Sequence, residues 1–335
     1  MKSSMLWMAL PFGVPASAST APAPPSVLAP YVVNGRFEAR DLNWVRGAFP
    51  EASAAEKAAY EQVNQWRDEC AASDRTAVLN ELAAMGVAVD QATTTTPRDP
   101  LCASLMMPDL RQFKSFAELQ AADVVARPIS ESFLYAVKLA EESSLPTSLS
   151  EALRFRTQSE QMLRKAVFWG EGSQNGAPPL APLVKAVVES RLGVAMGQRD
   201  RVNTEWLKKI VKAEGWPKIS VVGKEASQSA WLLVQHADAD PPFQLHALRL
   251  MDRLVATGEV DKSNYAYLYD RVMLKVSGIQ RYGTQMTCRG GKRVPQPLES
   301  ESTVESRRSE LGLTPMSEYM ALMQSQFGDC PPDRR

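Results

Sequence analysis

At 100° per residue, Ala226, Ala230, Leu233, Val234 and Ala237 fall on one face of a helix, while Trp231 and Leu232 cover the opposite side. A helix apolar nearly all round has to be enclosed, so this chain must fold further helices around it. The sequence supplies them at once. Asp240-Pro241-Pro242 breaks the run and opens a second helix carrying Phe243, Leu245, Leu248, Met251 and Leu254. A connection this short folds the second helix back on the first. A third helix is expected over 263–278, with Ser263 as N-cap, Gly278 as stop and Tyr265, Tyr269, Val272 and Val276 as its core stripe.

Helix-period patterns dominate the rest of the chain and strand signals are scarce, so the expected class is all-α: an irregular helical bundle in two helical parts. A length of 335 residues exceeds the usual single core. Residues 51–86 read as one or two helices, with Ala54, Ala58, Val63, Trp66, Val78 and Leu82 inward. Further helices are expected near 115–142, 151–169 and 183–213, with Leu153, Met162, Leu163, Val167 and Phe168 apolar in the second. Gly215-Trp216-Pro217 ends the long third one. TTTTPRDP (93–100) and GEGSQNGAPPLAP (170–182) read as loops, and ESSLPTSLS (142–150) as a boundary. The expected parts are therefore 31–147, an N-terminal helical region, and 150–330, a C-terminal helical domain. No period of 20–50 residues recurs, so a repeat solenoid is not supported.

The first residues read as an export signal over 1–18: Lys2, an apolar run MLWMALPFGV, and an Ala16-Ser17-Ala18 cleavage site. That run is too short to span a bilayer, which takes about 20 residues, and no later stretch qualifies, so no transmembrane segment is expected after signal removal. Residues 19–30 look like an extended Pro/Ala-rich tether. An export signal of this kind places the mature protein in the periplasm or outside the cell. In an oxidising compartment the four cysteines, which include no C-x-x-C pair, read as two disulfides, Cys70–Cys102 and Cys288–Cys330, each closing within one local region. Zinc wants ligands at short paired spacing and is not supported. Lys plus Arg equals Asp plus Glu at 38 each, which argues against nucleic-acid and anionic-membrane partners. The local RGGKR at 289–293 reads as a solvated turn.

Both histidines of the chain, His236 and His246, flank the Pro-Pro break. Gln235 and His236 end the buried helix, where an unpaired amide or imidazole costs about 1–3 kcal/mol, so partners must exist. Gln244 and His246 start the next helix, with Asp238 and Asp240 between. In the third helix Asp270 has no basic residue three or four positions away, and Arg271 points about 100° from it. Each needs a partner from another element. IQRYGTQ (279–285) follows, rich in hydrogen-bonding groups. A metal set of His236 and His246 with Asp238, Asp240 or Asp270 has acceptable ligand types but no known ligand spacing, so no metal or other cofactor is assigned. No G-x-S-x-G elbow and no P-loop is present.

Three stretches, GWPKISVVGKEASQSAWLLVQHADADPPFQ, YAYLYDRVMLKVSGIQRYGTQ and ESRRSELGLTPMSEYM, resemble a bacterial family catalogued only as a domain of unknown function, over residues 155–325. EQMLR (160–164) and DRVNTEWLKKIV (200–211) resemble its opening helices, with Glu160 where members often carry Asp. The resemblance implies no activity. It implies that Gln161, Arg164, Asn203, Trp216, Gln235, His236, Gln244, Asp270, Arg271, Tyr282, Thr284 and Gln285 occupy motif positions, and that His246 does not.

Three functions compete. The surplus of neutral groups (Gln161, Asn203, Gln235, Gln244, Tyr282, Gln285) suits an envelope module binding a polar small molecule, glycan or peptide, with Arg164, Arg271 and Thr284 completing the ligand-binding set. An envelope hydrolase or transferase would use His236 as acid or base, Asp270 to orient it, Arg164 or Arg271 to stabilise an anion, and Tyr282 or Thr284 as a hydroxyl. In a structural scaffold the same groups would only fix helix register.

Overall fold

The computed structural model describes residues 22–38, 41–72, 75–87, 100–103, 105, 109–143, 145–169 and 179–330. The expected export signal lies outside the described residues, as do the TTTTPR stretch and most of the 170–182 loop. In chain order the first elements are the two-residue strands β1 (Val32–Val33) and β2 (Arg36–Phe37), then α1 (Ala54–Ala72), α2 (Arg75–Ala84), α3 (Pro100–Ala103), α4 (Phe116–Glu142), α5 (Leu149–Trp169) and α6 (Pro182–Glu214). There follow α7 (Ile219–Val222), α8 (Lys224–Gln235), α9 (Pro241–Val255), α10 (Lys262–Ser277), β3 (Met286–Arg289), β4 (Lys292–Pro295), α11 (Val304–Glu310) and α12 (Met316–Phe327). The protein is mainly helical, as the periodicity predicts. The four strands form two small antiparallel hairpins that the sequence reading did not anticipate.

Each hairpin turns on two residues with positive φ, Asn34-Gly35 (51° and 72°) and Gly290-Gly291 (59° and 71°). That geometry matches the right-handed twist of the flanking strands and favours Asn and Gly. The RGGKR stretch is thus a turn, as expected, but one that pairs Met286 with Pro295 and Cys288 with Arg293.

The chain divides into two compact units. The first comprises Met1–Ser73 and Thr95–Trp206, the second Asp74–Thr94 and Leu207–Arg335. The boundary expected near 147–150 is instead a connection inside the first unit, and the division falls within α6. Residues 142–150 read as a linker because of their polar, Pro-containing composition. Yet α4 and α5 are held in one unit by the ion pairs both make with α6, which composition does not reveal.

The first unit is built on aromatic packing. Leu28, Phe37, Trp44, Val45, Phe49, Val63, Trp66, Leu119, Val187 and Leu192 are all buried in one cluster. Part of the expected tether belongs to it: Leu28 is fully buried, and the Trp66 indole N–H donates to the carbonyl of Pro22 at 2.8 Å. One apolar side chain in a Pro/Ala run suffices to dock it. A short 3-10 helix, Asn43–Ala48, lies against α1. There Gly47 meets the α1 backbone so closely that a Cβ would sit 2.0 Å from the Glu56 carbonyl oxygen. Ala54 and Ala58, expected inside, are exposed, while Val63 and Trp66 are buried as expected. Ser115 caps α4 by accepting from the Glu118 N–H at 3.2 Å, and the Glu118 carboxylate reaches back to accept the Lys114 N–H at 2.7 Å.

In the second unit α8, α9 and α10 pack as the three consecutive helices predicted. Ala226, Ala230, Leu233, Val234 and Ala237 are buried, as are Leu245, Leu248 and Met251 of α9 and Tyr265, Tyr269, Val272 and Val276 of α10. Burial of each large side chain contributes about 1.5–3 kcal/mol. Helix α2 belongs here because Val78 and Leu82 are buried and Glu81 pairs with Arg249 of α9 at 3.2 Å. The cap of α10 is Asp261, not Ser263: its carboxylate accepts the N–H groups of Ser263 and Asn264. Gly215 and Gly278 stop α6 and α10 at φ 78° and 79°, as the sequence indicates. Cys288 and Cys330 are disulfide-bonded. Cys102 is buried, and the side chain of Cys70, its expected partner, lies outside the described residues.

Candidate functional site

In the second unit the site begins where α8 ends. His236 is the C-cap residue of α8, its backbone N–H returning to the Leu232 carbonyl at 3.1 Å, and its side chain is half-buried. Asp240 caps α9, accepting the Phe243 N–H at 3.1 Å, and takes an ion pair from Lys208 at 2.9 Å. Between them Asp238 closes the corner. Its carboxylate accepts both Nε (3.0 Å) and Nη2 of Arg271, and the Lys275 ammonium takes its backbone carbonyl. Burial pushes the Asp238 pKa up, but the Arg271 hydrogen bond and charge, with Lys275, outweigh it, and the net shift is down. Burial lowers the Lys275 pKa, against the pull of Asp238.

Gln244 is fully buried and donates to the carbonyls of Val234 (3.1 Å) and Gln235 (3.3 Å), so it closes the end of α8 with its own side chain. The amide oxygens of Gln244 and Gln235 are both buried and without a hydrogen-bond partner. His246 turns elsewhere: its Nδ1 lies 3.1 Å from Arg249 and 3.9 Å from Glu81 of α2.

Asp270 serves a turn. Fully buried, its carboxylate accepts the backbone N–H groups of Arg281 (2.8 Å), Tyr282 (2.9 Å) and Thr284 (2.8 Å). Burial raises its pKa and the three amides pull it down, with the raise prevailing. The same turn is held from outside. Arg308, 1% exposed, donates to the Tyr282 carbonyl at 2.6 Å, and the Tyr319 hydroxyl donates to the Thr284 carbonyl at 2.7 Å. Gln280 accepts the Gln285 N–H and donates to the Gln285 and Gln296 carbonyls, each at 2.9 Å. The Gln285 side chain donates to the Thr284 hydroxyl at 3.1 Å. Tyr282 packs edge-on to Tyr269, centroids 5.5 Å apart. Asp270, Tyr282, Thr284 and Gln285 therefore come together as one knot, while Gln235, Gln244, Asp238 and Arg271 form the α8–α9 corner.

Residues 186–330 match the model of a family of unknown function, DUF6624. No curated protein and no solved structure matches the chain. The DUF6624 match takes in the corner and the knot, together with Asn203 and Trp216, and begins after Gln161 and Arg164. Around QRYGTQ, side chains serve backbone groups of the turn.

The remaining expected residues lie in the first unit. Arg164 is clamped between carboxylates: Nε to Glu160 at 2.6 Å, and Nη2 to both oxygens of Asp200 at 2.9 and 2.8 Å. Gln161 donates to Glu160 at 3.4 Å. Asn203, 1% exposed, accepts from Arg156 at 3.1 Å, and its Nδ2 is buried with no partner. Arg156 stacks on Trp206 at 4.4 Å, and its pKa falls to about 10 through burial first and the nearby Arg199 second.

Two cavities are lined by none of the residues expected to form the catalytic or ligand-binding set. One, of about 430 Å³ in the second unit, is lined by Arg249, Arg253, Arg281, Asp252, Tyr265 and Tyr269 among others. The other, of about 350 Å³ in the first unit, has Glu141 and Arg199 among its walls. Sequence reasoning missed both because their charged residues sit at ordinary solvated helix spacing. Glu141 carries a usable signal only in hindsight, as an acid on the same α4 face as Val137 and Leu134.

Proposed function

We propose that the chain is an exported, non-catalytic binding module of the cell envelope whose polar corner, Gln235, His236 and Gln244, receives a neutral hydrogen-bonding ligand such as a glycan or peptide. The observation that carries this reading is the pair of buried amide oxygens, Gln235 Oε1 and Gln244 Oε1, without partners beside His236. A buried acceptor left unsatisfied costs about 1–3 kcal/mol, which a ligand hydroxyl or N–H would recover. Acid–base chemistry by a His236–Asp270 pair draws no support from the geometry, because both Asp270 oxygens already accept turn amides. Export is consistent with the Cys288–Cys330 disulfide.

The test is a thermal-shift screen of the purified chain against soluble cell-wall glycans and short peptides. A ligand at about 100 times its Kd adds about 2.7 kcal/mol, which raises Tm by several degrees. Gln235→Met keeps the side-chain volume and removes the acceptor; it should fold and lose the shift. An unchanged shift in that variant, or no shift with any probe, rejects the reading.

The closure of Asp238 on Arg271, Lys275 and Gln244 supports a second reading, a scaffold in which the corner only fixes register. His236→Gln separates the two. Under the scaffold reading Tm falls and no ligand response is lost, because the wild type shows none.

A further inference from the structure

The cavity of the first unit has an apolar and a polar side. Its apolar wall is Val137, Leu163 and Val202, and its polar groups are Arg36, Lys138, Glu141, Gln198 and Arg199. Glu141 is 7% exposed, and only one of its carboxylate oxygens is used, by Arg199; the other, Oε1, is buried with no hydrogen-bond partner. A half-satisfied carboxylate in such a place wants one more donor. The cavity is nonetheless rich in positive charge. Against Glu141 stand Arg36, Lys138 and Arg199 in its walls. Arg156 lies near enough to feel both Arg199 and Glu141. Lys138 is mostly exposed and only loosely paired with Glu142 at 3.7 Å.

A ligand matching these walls needs an anionic group, a neutral N–H or O–H donor within a few ångströms of it, and an apolar side. We infer that the first unit binds the C-terminal end of a short peptide. Its carboxylate meets Arg36 and Lys138, its last amide N–H donates to Glu141 Oε1, and its terminal side chain lies on Val137, Leu163 and Val202. A residue advances the chain by about 3.3–3.6 Å, so the terminal carboxylate and the last amide N–H lie within one residue of each other, and both sets of groups line this one cavity. Capture of a terminal carboxylate by fixed donors is a recurring recognition mode. A volume of about 350 Å³ sits at the small end of ligand pockets, fitting two residues rather than a long segment. A free ammonium in place of the amide is disfavoured by the surrounding guanidinium groups.

This site is independent of the Gln235–His236 corner and stands or falls separately. The experiment is calorimetric titration of the full chain with N-acetyl-leucyl-alanine and with the C-terminal amide of the same dipeptide. The free acid is expected to bind at least about tenfold more tightly than the amide, the value of one charge-assisted contact. Arg36→Gln should weaken the acid by about tenfold with Tm unchanged. Arg36 is half-buried and opens the two-residue strand β2, where it stands opposite Val33. Glu141→Gln should weaken acid and amide alike. The inference is overturned if neither peptide binds, if acid and amide bind equally, or if Arg36→Gln leaves the acid's affinity intact. The wild-type comparison decides the matter even where Glu141→Gln fails to fold.

Discussion

Replacing Asp270 by Asn changes a single atom of a buried carboxylate and tests whether that group exists to hold a turn. In the wild type Oδ1 takes the N–H groups of Arg281 and Tyr282, and Oδ2 that of Thr284. Asn can keep the first pair on its amide oxygen but presents an NH₂ to the Thr284 N–H, two donors face to face. A buried donor left unsatisfied costs about 1–3 kcal/mol, and the two surviving bonds each lose their charge assistance. Removing the charge returns part of the desolvation penalty, which is the larger influence on the Asp270 pKa. The net loss should therefore be about 2–3 kcal/mol, and for Asp270→Ala, which strands all three amides, about 4 kcal/mol. Urea unfolding followed by circular dichroism gives the stability change. Native-state hydrogen exchange at the Arg281, Tyr282 and Thr284 amides gives its location. A change below about 0.5 kcal/mol, the scatter of ordinary surface substitutions, would refute the latch, as would unchanged protection of those three amides.

Three further outcomes follow from the second unit. Gly283 sits in the same turn at φ 66°, where a Cβ would lie 2.0 Å from the Met316 methyl. Because the methionine end can move, Gly283→Ala should lose about 1–2 kcal/mol by backbone strain, read as a lower urea midpoint at constant m. Reducing the Cys288–Cys330 bond, which spans 42 residues, should lower stability by about 4 kcal/mol on chain-entropy grounds, read as a Tm drop with reductant that Cys330→Ser reproduces and reductant does not deepen. The native pKa of Asp238 is lowered, so its contribution is present above the unfolded value and lost as pH falls through the native one. With its side chain 41% exposed the pair with Arg271 is worth about 1 kcal/mol at neutral pH, so the stability gap between wild type and Asp238→Asn should close in acid below about pH 4. A gap that widens there would reverse the sign.

Periodicity made the fold class legible. Wherever apolar residues recur at helical spacing, as in α8, α9 and α10, the elements and their buried faces follow the sequence. The hairpins were legible in principle, since Asn-Gly and Gly-Gly dipeptides are the turns two-residue hairpins demand; the flanking strands are only two and four residues long and carry no alternation of their own. The domain division was not legible. It depends on pairs such as Arg191 with Asp123, 68 positions apart, and Arg164 with Asp200, 36 apart, which join α4 and α5 to α6. No local pattern encodes a partner at such distances.

Asp270 marks the sharper boundary between what residues announce and what they hide. That it lacks a basic neighbour at helical spacing can be read from the third helix alone, and this made it look like the orienting carboxylate of a histidine. The inference that it needs a partner from elsewhere was sound. The partner's chemical type was beyond reach, because a carboxylate can be satisfied by an imidazolium, a guanidinium or a set of backbone N–H groups, and only the first two have letters in a sequence. Here three amides of the Arg281–Thr284 turn fill the role. The same asymmetry governs Gln244, Gln280, Lys275 and Arg308, each of which binds main-chain carbonyls. A dense cluster of polar motif residues is thus what a chain needs to pin an irregular turn against a helix bundle, and density alone does not make a catalytic centre. What points to a ligand is the opposite condition, a buried polar atom for which the fold supplies no partner, and Gln235, Gln244, Asn203 and Glu141 are among the described residues that meet it.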